Sequence, residues 1–322
     1  MEEVGQSALD LLTAAGCQLF FPKHYVARAG AELEDLLENK DAVLATVDRY
    51  SAEIFRSPKA ASLKIVSRWG VGYDTIDLAA ATQSGVVVAY TPGLLDETVA
   101  DLTFAMMLSI ARRIHEAYDG MRQGVWKPLW GGNVHGKTLG LVGCGRIGQA
   151  VARRAIGFGM KLVGFDVVPH PQAKALGIDF LSLDELLKES DFISLHAAVT
   201  PENNGMIGQN QFNKMKSTAY FINAARGALV DESALASALS AGQIAGAAVD
   251  TYQVEPLRAD SPLRSAPNLL LTPHQASFTR ETGLLVGTVS AQAILDLMRG
   301  LRPKFVVNPS VFGQPTLRAL VS

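Results

Sequence analysis

The run TLGLVGCGRIGQAVARR restricts the fold more than any other stretch of the chain. A short apolar strand pattern stops at three glycines in G-x-G-x-x-G spacing, and a helical pattern begins at once. Gly143 permits the tight turn, Gly145 lets an outside group approach the backbone, and Gly148 lets the helix pack closely on the strand. Strand, glycine turn and helix in immediate succession open a βαβ unit, which builds a parallel sheet.

The same alternation continues along the 322 residues. Strand patterns KLVGFD, DFISLH, AYFINA, GAAVD and NLLLT alternate with AVARRAIGFG, SLDELLKES, a segment around 210–215 and SALASALSAG. With TLGLVG they make six strands, a dinucleotide-sized doubly wound domain. Ahead of it, CQLFF, DAVLATV, LKIVSRW and GVVVAY read as strands and AELEDLLEN as a helix. One long helical pattern over 96–122 repeats Leu102, Met106, Ile110 and Ile114 at spacings of four. The loop GVWKPLWGGNVHGK follows, and its Trp126 and Trp130 are expected to pack the connection between two lobes. A last helix, 282–299, precedes LRPKFVVNPS, a tail too short for a domain and expected to return to the first lobe.

The length allows two domains on a prior of roughly 150 residues each. A formal charge of −2 offers no basic footprint for nucleic acid. No apolar run reaches the roughly 18 residues of a membrane span, and the start MEEVGQSALD is acidic where a secretory signal is positive. Two cysteines, Cys17 and Cys144, make no disulfide framework. The expected location is cytoplasmic.

The glycine turn carries a cofactor reading. N–H groups at the helix start, near Arg146 and Ile147, suit a pyrophosphate. Asp166 ends KLVGFD, roughly 20 residues on, where a carboxylate bonds both hydroxyls of an adenosine ribose. The same charge repels a 2′-phosphate, so the expectation is NAD rather than NADP.

Three ionic residues stand at the ends of later strands: Arg226 after AYFIN, Glu255 beyond GAAVD, and His274 after NLLLT. Strand carboxyl ends are where open parallel sheets bind ligands. Hydride addition to a ketone needs a proton donor, and imidazole suits that task with an unperturbed pKa near 6.5. A carboxylate beside it favours the charged ring and fixes its orientation. A guanidinium clamps a substrate carboxylate or polarises a carbonyl.

At these residues the chain resembles the D-isomer-specific 2-hydroxyacid dehydrogenases, over nearly its whole length. The likeness rests on GCGRIGQAVARR, the aspartate of VGFD, INAARGALVDE, the VEP turn and LTPH. It implies an α/β enzyme of two doubly wound parallel-sheet domains. A Rossmann NAD-binding domain, 100–289, is inserted into a flavodoxin-like substrate domain made of 1–99 and 290–322. The resemblance places the catalytic roles on Arg226, Glu255 and His274. It brings Asp250 to the nicotinamide amide, and Ala197, Ala224 and Ala225 along the cofactor. SRWGVGYDTID resembles the family's substrate loop, in which Gly70 and Gly72 turn the backbone and the N–H groups of Val71 and Gly72 bind the substrate carboxylate. The implied reaction is reversible hydride transfer between NADH and C2 of a 2-keto acid, in a cleft that excludes water on closure. Glyoxylate, hydroxypyruvate, 3-phosphohydroxypyruvate or a sugar-derived keto acid would serve. A homodimer is implied, with the helix after Asp96 at its interface.

Two departures stand out. The family begins with a short strand before its first helix, whereas this chain starts almost at the helix SALDLLTAAG. Either the start is truncated or the first lobe has one strand fewer. Phosphoglycerate dehydrogenases carry an arginine near the end of the second strand where this chain has Ala45, with Arg49 close by. The second reading is an NAD(H)-sensing regulatory protein resembling the C-terminal-binding corepressors. Those carry a tryptophan shortly after the histidine, where this chain has Ser277 and Phe278. Of the remaining residues, His196 is expected near the cofactor or as a strand-end structural group. His24, His115, His135 and His170 show no metal-ligand spacing and read as surface or loop. Trp69 either walls a pocket or covers the turn. The pairs Arg112–Arg113 and Arg153–Arg154 read as solvated helix faces.

Overall fold

A computed structural model describes residues 5–22 and 27–321, so His24 lies outside the described residues. The chain divides into two compact units, Met1–Leu95 with Ser277–Ser322, and Asp96–Ala276. The chain changes unit at 276/277 rather than at 289/290. The last helix, Arg280–Met298, therefore stays whole within the first unit.

The second unit is built on seven parallel strands: β4 (Thr138–Val142), β5 (Lys161–Phe165), β6 (Asp179–Phe180), β7 (Phe192–Leu195), β8 (Tyr220–Asn223), β9 (Gly246–Val249) and β10 (Leu269–Leu271), each later strand taking its number after the three of the first unit. Their order is β10-β9-β8-β7-β4-β5-β6. The direction of winding reverses at β4, the position where such sheets open a crevice. The six expected strands are present. The seventh, β6, has two residues, too few to show a period. All residues of β7 and β9 are buried, which is why they read as unbroken apolar runs. Phe221 and Phe212 meet edge to face at 5.5 Å within one core cluster. Phe192 and Tyr220 stack at 5.3 Å in the other.

Register aligns the site. Val142 is level with Phe165 and Leu195, Leu195 with Asn223, Asn223 with Val249, and Val249 with Leu271. The next residues, Asp166, Gly143, His196, Ala224, Asp250 and Thr272, therefore form one row along the carboxyl edge.

The long helical pattern is two helices, Asp96–Ala111 and Ile114–Arg122, separated where Arg113 turns left-handed at φ 53°. A continuous helix would give the Ala111 carbonyl to residue 115. Instead it accepts the N–H of Gly132 at 2.8 Å. The first helix is deeply packed, with Val99, Phe104, Met106, Met107 and Ile110 buried. It is tied to the Arg146–Gly157 helix by Arg153 to Glu97 and by Arg154 to both Glu97 and Asp101. Arg153 and Arg154 are thus inter-helix ties rather than merely solvated, each exposed pair stabilising by about 0–1 kcal/mol. Arg113 pairs with Glu116 on its own helix.

The second helix buries none of its residues. Ile114, Tyr118 and Met121 point outward, and Trp126 and Trp130 beyond it are 84% and 94% exposed. The tryptophans therefore do not pack a connection as expected.

The first unit has a parallel sheet ordered β1 (Ala42–Ala45), β2 (Ile65–Arg68), β3 (Val87–Ala89). The tail returns to it: Val306 bridges Ala89, and Val307 N–H donates to the Val88 carbonyl at 2.8 Å. CQLFF forms no strand. Cys17 and Leu19 pack on the core while Phe20 and Phe21 are exposed. A strand needs a ladder partner, and among the described residues β1 pairs only with β2. Trp69 packs on the last helix, where a Cβ on Gly287 would lie 2.7 Å from its ring.

Candidate active site

At the β4 end, Gly143 has φ 94°, and a Cβ there would stand 2.5 Å from the Ala197 nitrogen. A Cβ on Gly148 would stand 2.3 Å from the Gly143 carbonyl oxygen. Both positions require glycine. Gly145 differs: nothing lies within 4 Å of its added Cβ. It caps the Arg146–Gly157 helix without a side-chain bond, so no capping side chain takes the first-turn N–H groups. Asp166 Oδ2 accepts the Cys144 N–H at 2.7 Å, and its Oδ1 the Val168 N–H at 3.3 Å. Burial, then the Asp166 charge, pushes the Cys144 thiol up to about 12. The turn therefore offers N–H groups and a carboxylate, and no thiolate. An open cradle, uncapped N–H groups and a nearby carboxylate fit a dinucleotide.

His196 follows β7 on the same row. Its Nε2 lies 2.9 Å from the Ser194 hydroxyl, its Nδ1 is buried without a partner among the described residues, and burial lowers its pKa to about 3. The ring is neutral at ordinary pH. Ala224 is buried, Ala225 half-buried, and the Ala225 N–H donates to Asn223 Oδ1 at 3.0 Å. Of the other histidines, His115 and His135 are half-buried or exposed, and His170 precedes a short helix.

Glu255 and His274 meet at the β8–β10 end of this edge. His274 Nδ1 lies 2.7 Å from Glu255 Oε2, and both side chains are about a third exposed, 34% and 27%. Glu255 Oε1 accepts the Tyr252 N–H at 3.0 Å. Burial pushes the Glu255 carboxyl up. The His274 bond and charge, the Tyr252 N–H and the Arg226 charge outweigh it and hold the carboxyl below its usual range. An ionised carboxylate only accepts, so Nδ1 carries the hydrogen and Nε2 is left for an outside partner. Arg226 follows β8, half-buried, with its Nη1 on the Ala225 carbonyl at 2.8 Å. The next residue, Gly227, lies against Tyr252, which brings the Arg226 loop to the Glu255 loop.

Two contacts that support this group had no signal in the sequence. A Cβ on Gly227 would lie 1.9 Å from the Tyr252 carbonyl carbon, so glycine lets the Arg226 and Tyr252–Glu255 loops touch. Asp250 is fully buried, and its carboxylate accepts the Thr272 hydroxyl at 2.6 Å and the N–H groups of Gln275 and Ala276 at 2.9 Å each. These donors flank His274, which sits at φ 52°. Asp250 therefore braces the histidine loop.

In the first unit, Gly70 has φ 131°, and it exchanges two bonds with Thr91, N–H to Oγ1 at 3.2 Å and carbonyl to N–H at 3.1 Å. Among the described residues, the N–H groups of Val71 and Gly72 have no partner. Ala45 ends β1 and is buried; Arg49 is exposed.

Residues 104–276 match the family described as D-isomer specific 2-hydroxyacid dehydrogenase, NAD binding domain. The chain belongs to that family. The glyoxylate reductase of Korarchaeum cryptofilum is 43% identical over 84% of this dehydrogenase and 83% of that protein. The D-3-phosphoglycerate dehydrogenase of Methanocaldococcus jannaschii is 41% identical over 87% of this chain, which spans 54% of that longer protein. The apo-structure of D-lactate dehydrogenase from Escherichia coli superposes with a TM-score of 0.83 at 30% identity, covering 95% of this chain and 97% of that one. The dehydrogenase is an NAD-dependent oxidoreductase acting on a hydroxyl group. No helix among its described residues is long and apolar enough to cross a membrane.

Proposed function

We propose that the enzyme reduces a small, non-phosphorylated 2-keto acid such as glyoxylate or hydroxypyruvate, and oxidises the corresponding D-2-hydroxy acid in reverse. The 2.7 Å imidazole–carboxylate pair of His274 and Glu255, on the same sheet edge as the glycine turn, carries this reading. Bound NADH supplies the hydride that C2 receives. His274 Nε2 gives the proton that completes the hydroxyl and takes it back in reverse, while ionised Glu255 stabilises the charged ring. Arg226 draws electron density from the keto oxygen or holds the carboxylate. The N–H groups of Val71 and Gly72 take the substrate carboxylate. Gly143, Gly145, Arg146, Ile147, Gly148, Asp166, Ala197, Ala224 and Ala225 form the NAD cradle. Asp250 holds the His274 loop.

The substrate preference rests on Ala45, which by the family resemblance takes the position of an arginine in phosphoglycerate dehydrogenases. Steady-state NADH oxidation with glyoxylate, hydroxypyruvate, 3-phosphohydroxypyruvate and sugar-derived keto acids tests it. Turnover is expected with the first two. A tenfold preference for the phosphorylated acid contradicts the substrate assignment, and no turnover with any contradicts the reaction.

We assign the exposed apolar face of Ile114, Tyr118, Met121, Val125, Trp126 and Trp130 to a second copy of the chain. Aromatic side chains of this size bury about 150–250 Å² each at an interface. Light scattering should give a dimer, and Trp126→Ser with Trp130→Ser a monomer. The two unpaired cysteines support a cytoplasmic location.

A further inference from the structure

Arg68 ends β2 and turns its guanidinium back over the loop that follows. Its Nε donates to the Gly72 carbonyl at 2.8 Å, and its Nη1 to the Ala45 carbonyl at 3.3 Å and to the Trp69 carbonyl. The Gly70 carbonyl is taken by the Thr91 N–H. Three carbonyls of the 69–72 loop are thereby turned away, two of them by one side chain. The loop's N–H groups have the opposite fate. Those of Val71, Gly72 and Tyr73 have no partner among the described residues.

A short loop left to itself presents carbonyls and N–H groups together, and an approaching carboxylate meets repulsion as well as attraction. Here the guanidinium holds the Trp69 and Gly72 carbonyl oxygens and brings a unit positive charge to the loop whose N–H groups are left free. Successive free N–H groups suit an anion. The planar fork of an arginine can hold several carbonyls at fixed angles, which an ammonium on a flexible stem cannot.

We infer that Arg68 is the positioning residue of the carboxylate-binding loop, sorting its carbonyls from its N–H groups without itself binding substrate. The inference rests on the proposed function and adds to it. It assigns specificity for the carboxylate shared by all 2-keto acids to Val71 and Gly72, and removes Arg68 as a ligand for a phosphate at C3.

The test compares wild type, Arg68→Met and Arg68→Lys in steady-state reduction of glyoxylate, hydroxypyruvate and 3-phosphohydroxypyruvate. Binding of oxamate to each NADH complex is measured by calorimetry alongside. Methionine keeps the apolar stem, and thermal unfolding establishes that each variant is folded. For Arg68→Met, KM should rise at least about tenfold for every keto acid by the same factor. Its kcat should stay within about threefold and NADH affinity should be unchanged. Oxamate binding should weaken in parallel, and Arg68→Lys should fall between.

A KM increase confined to 3-phosphohydroxypyruvate would make Arg68 a substrate ligand and overturn the inference. Unchanged KM in Arg68→Met would overturn it with the reaction intact. Wild-type protein that binds oxamate but reduces nothing would remove the proposed reaction alone, and oxamate affinity across the variants would then decide the role of Arg68. If Arg68→Met does not fold, Arg68→Lys decides by the same split. A wild type that neither reduces a keto acid nor binds oxamate overturns both.

Discussion

Gly227 and Tyr252 are in backbone contact, so close that a Cβ on Gly227 would lie 1.9 Å from the Tyr252 carbonyl carbon. Arg226 precedes one contact point, and the Tyr252 N–H holds Glu255 at the other. A single missing methyl group thus brings a guanidinium loop and a carboxylate loop together. Gly227→Ala should displace one of them. Overpacking of this kind costs about 1–3 kcal/mol, and kcat should fall with it. Urea unfolding with steady-state kinetics checks both. Wild-type stability and turnover in the variant would mean that the loops need no close approach.

Asp250 binds three donors around His274: the Thr272 hydroxyl and the N–H groups of Gln275 and Ala276. In Asp250→Asn an amide NH2 replaces one acceptor oxygen and leaves at least one buried donor unpaired, at about 1–3 kcal/mol. Turnover should drop about tenfold or more as the histidine loop loosens. Fluorescence titration should give an NADH affinity close to wild type. A large loss of NADH affinity with turnover intact would return Asp250 to the cofactor.

His196 makes stability depend on pH in a defined window. Its folded pKa is lowered to about 3 by burial, while in the unfolded chain it lies near 6.5. Between those values the unfolded chain binds the extra proton. The stabilisation is therefore complete above about 6.5 and is lost as pH falls toward about 3, at up to about 1.4 kcal/mol per pH unit. Other imidazoles ionise in the same range in the unfolded chain, so the difference between wild type and His196→Gln isolates this ring. Urea unfolding across pH 5–7 should show wild-type stability falling relative to His196→Gln as the solution is acidified, the difference in slope approaching about one proton near pH 5. An equal slope in both proteins would show that burial does not shift the ring's proton affinity.

The strands of the cofactor unit were legible because buried parallel strands leave continuous apolar runs with glycine or an acid at their ends. Asp166, Gly143, Asp250 and His274 could be placed on one edge for the same reason. CQLFF carries the same apolar signal without a ladder partner, and composition does not reveal which strands find neighbours. The break at Arg113 depends on Gly132 capturing the Ala111 carbonyl, a contact between residues 21 apart with no local trace. The exposure of Trp126 and Trp130 was misjudged by the same limit, since large apolar residues are expected inside unless something else covers them. The supports of the site were illegible throughout. Asp250 reaches donors 22–26 residues away, and Arg68 works through backbone carbonyls that carry no residue type.

The most direct test of the proton chemistry is His274→Ala, with kcat and NADH dissociation constant measured on the same preparation. The imidazole is held by Glu255 at 2.7 Å with Nε2 outward, and it belongs to no part of the glycine cradle. Turnover of the keto acid should fall about 10²–10⁴-fold while NADH binds within about twofold of wild type. Equal losses in turnover and NADH affinity, or turnover that survives the substitution, would contradict His274 as the acid and base.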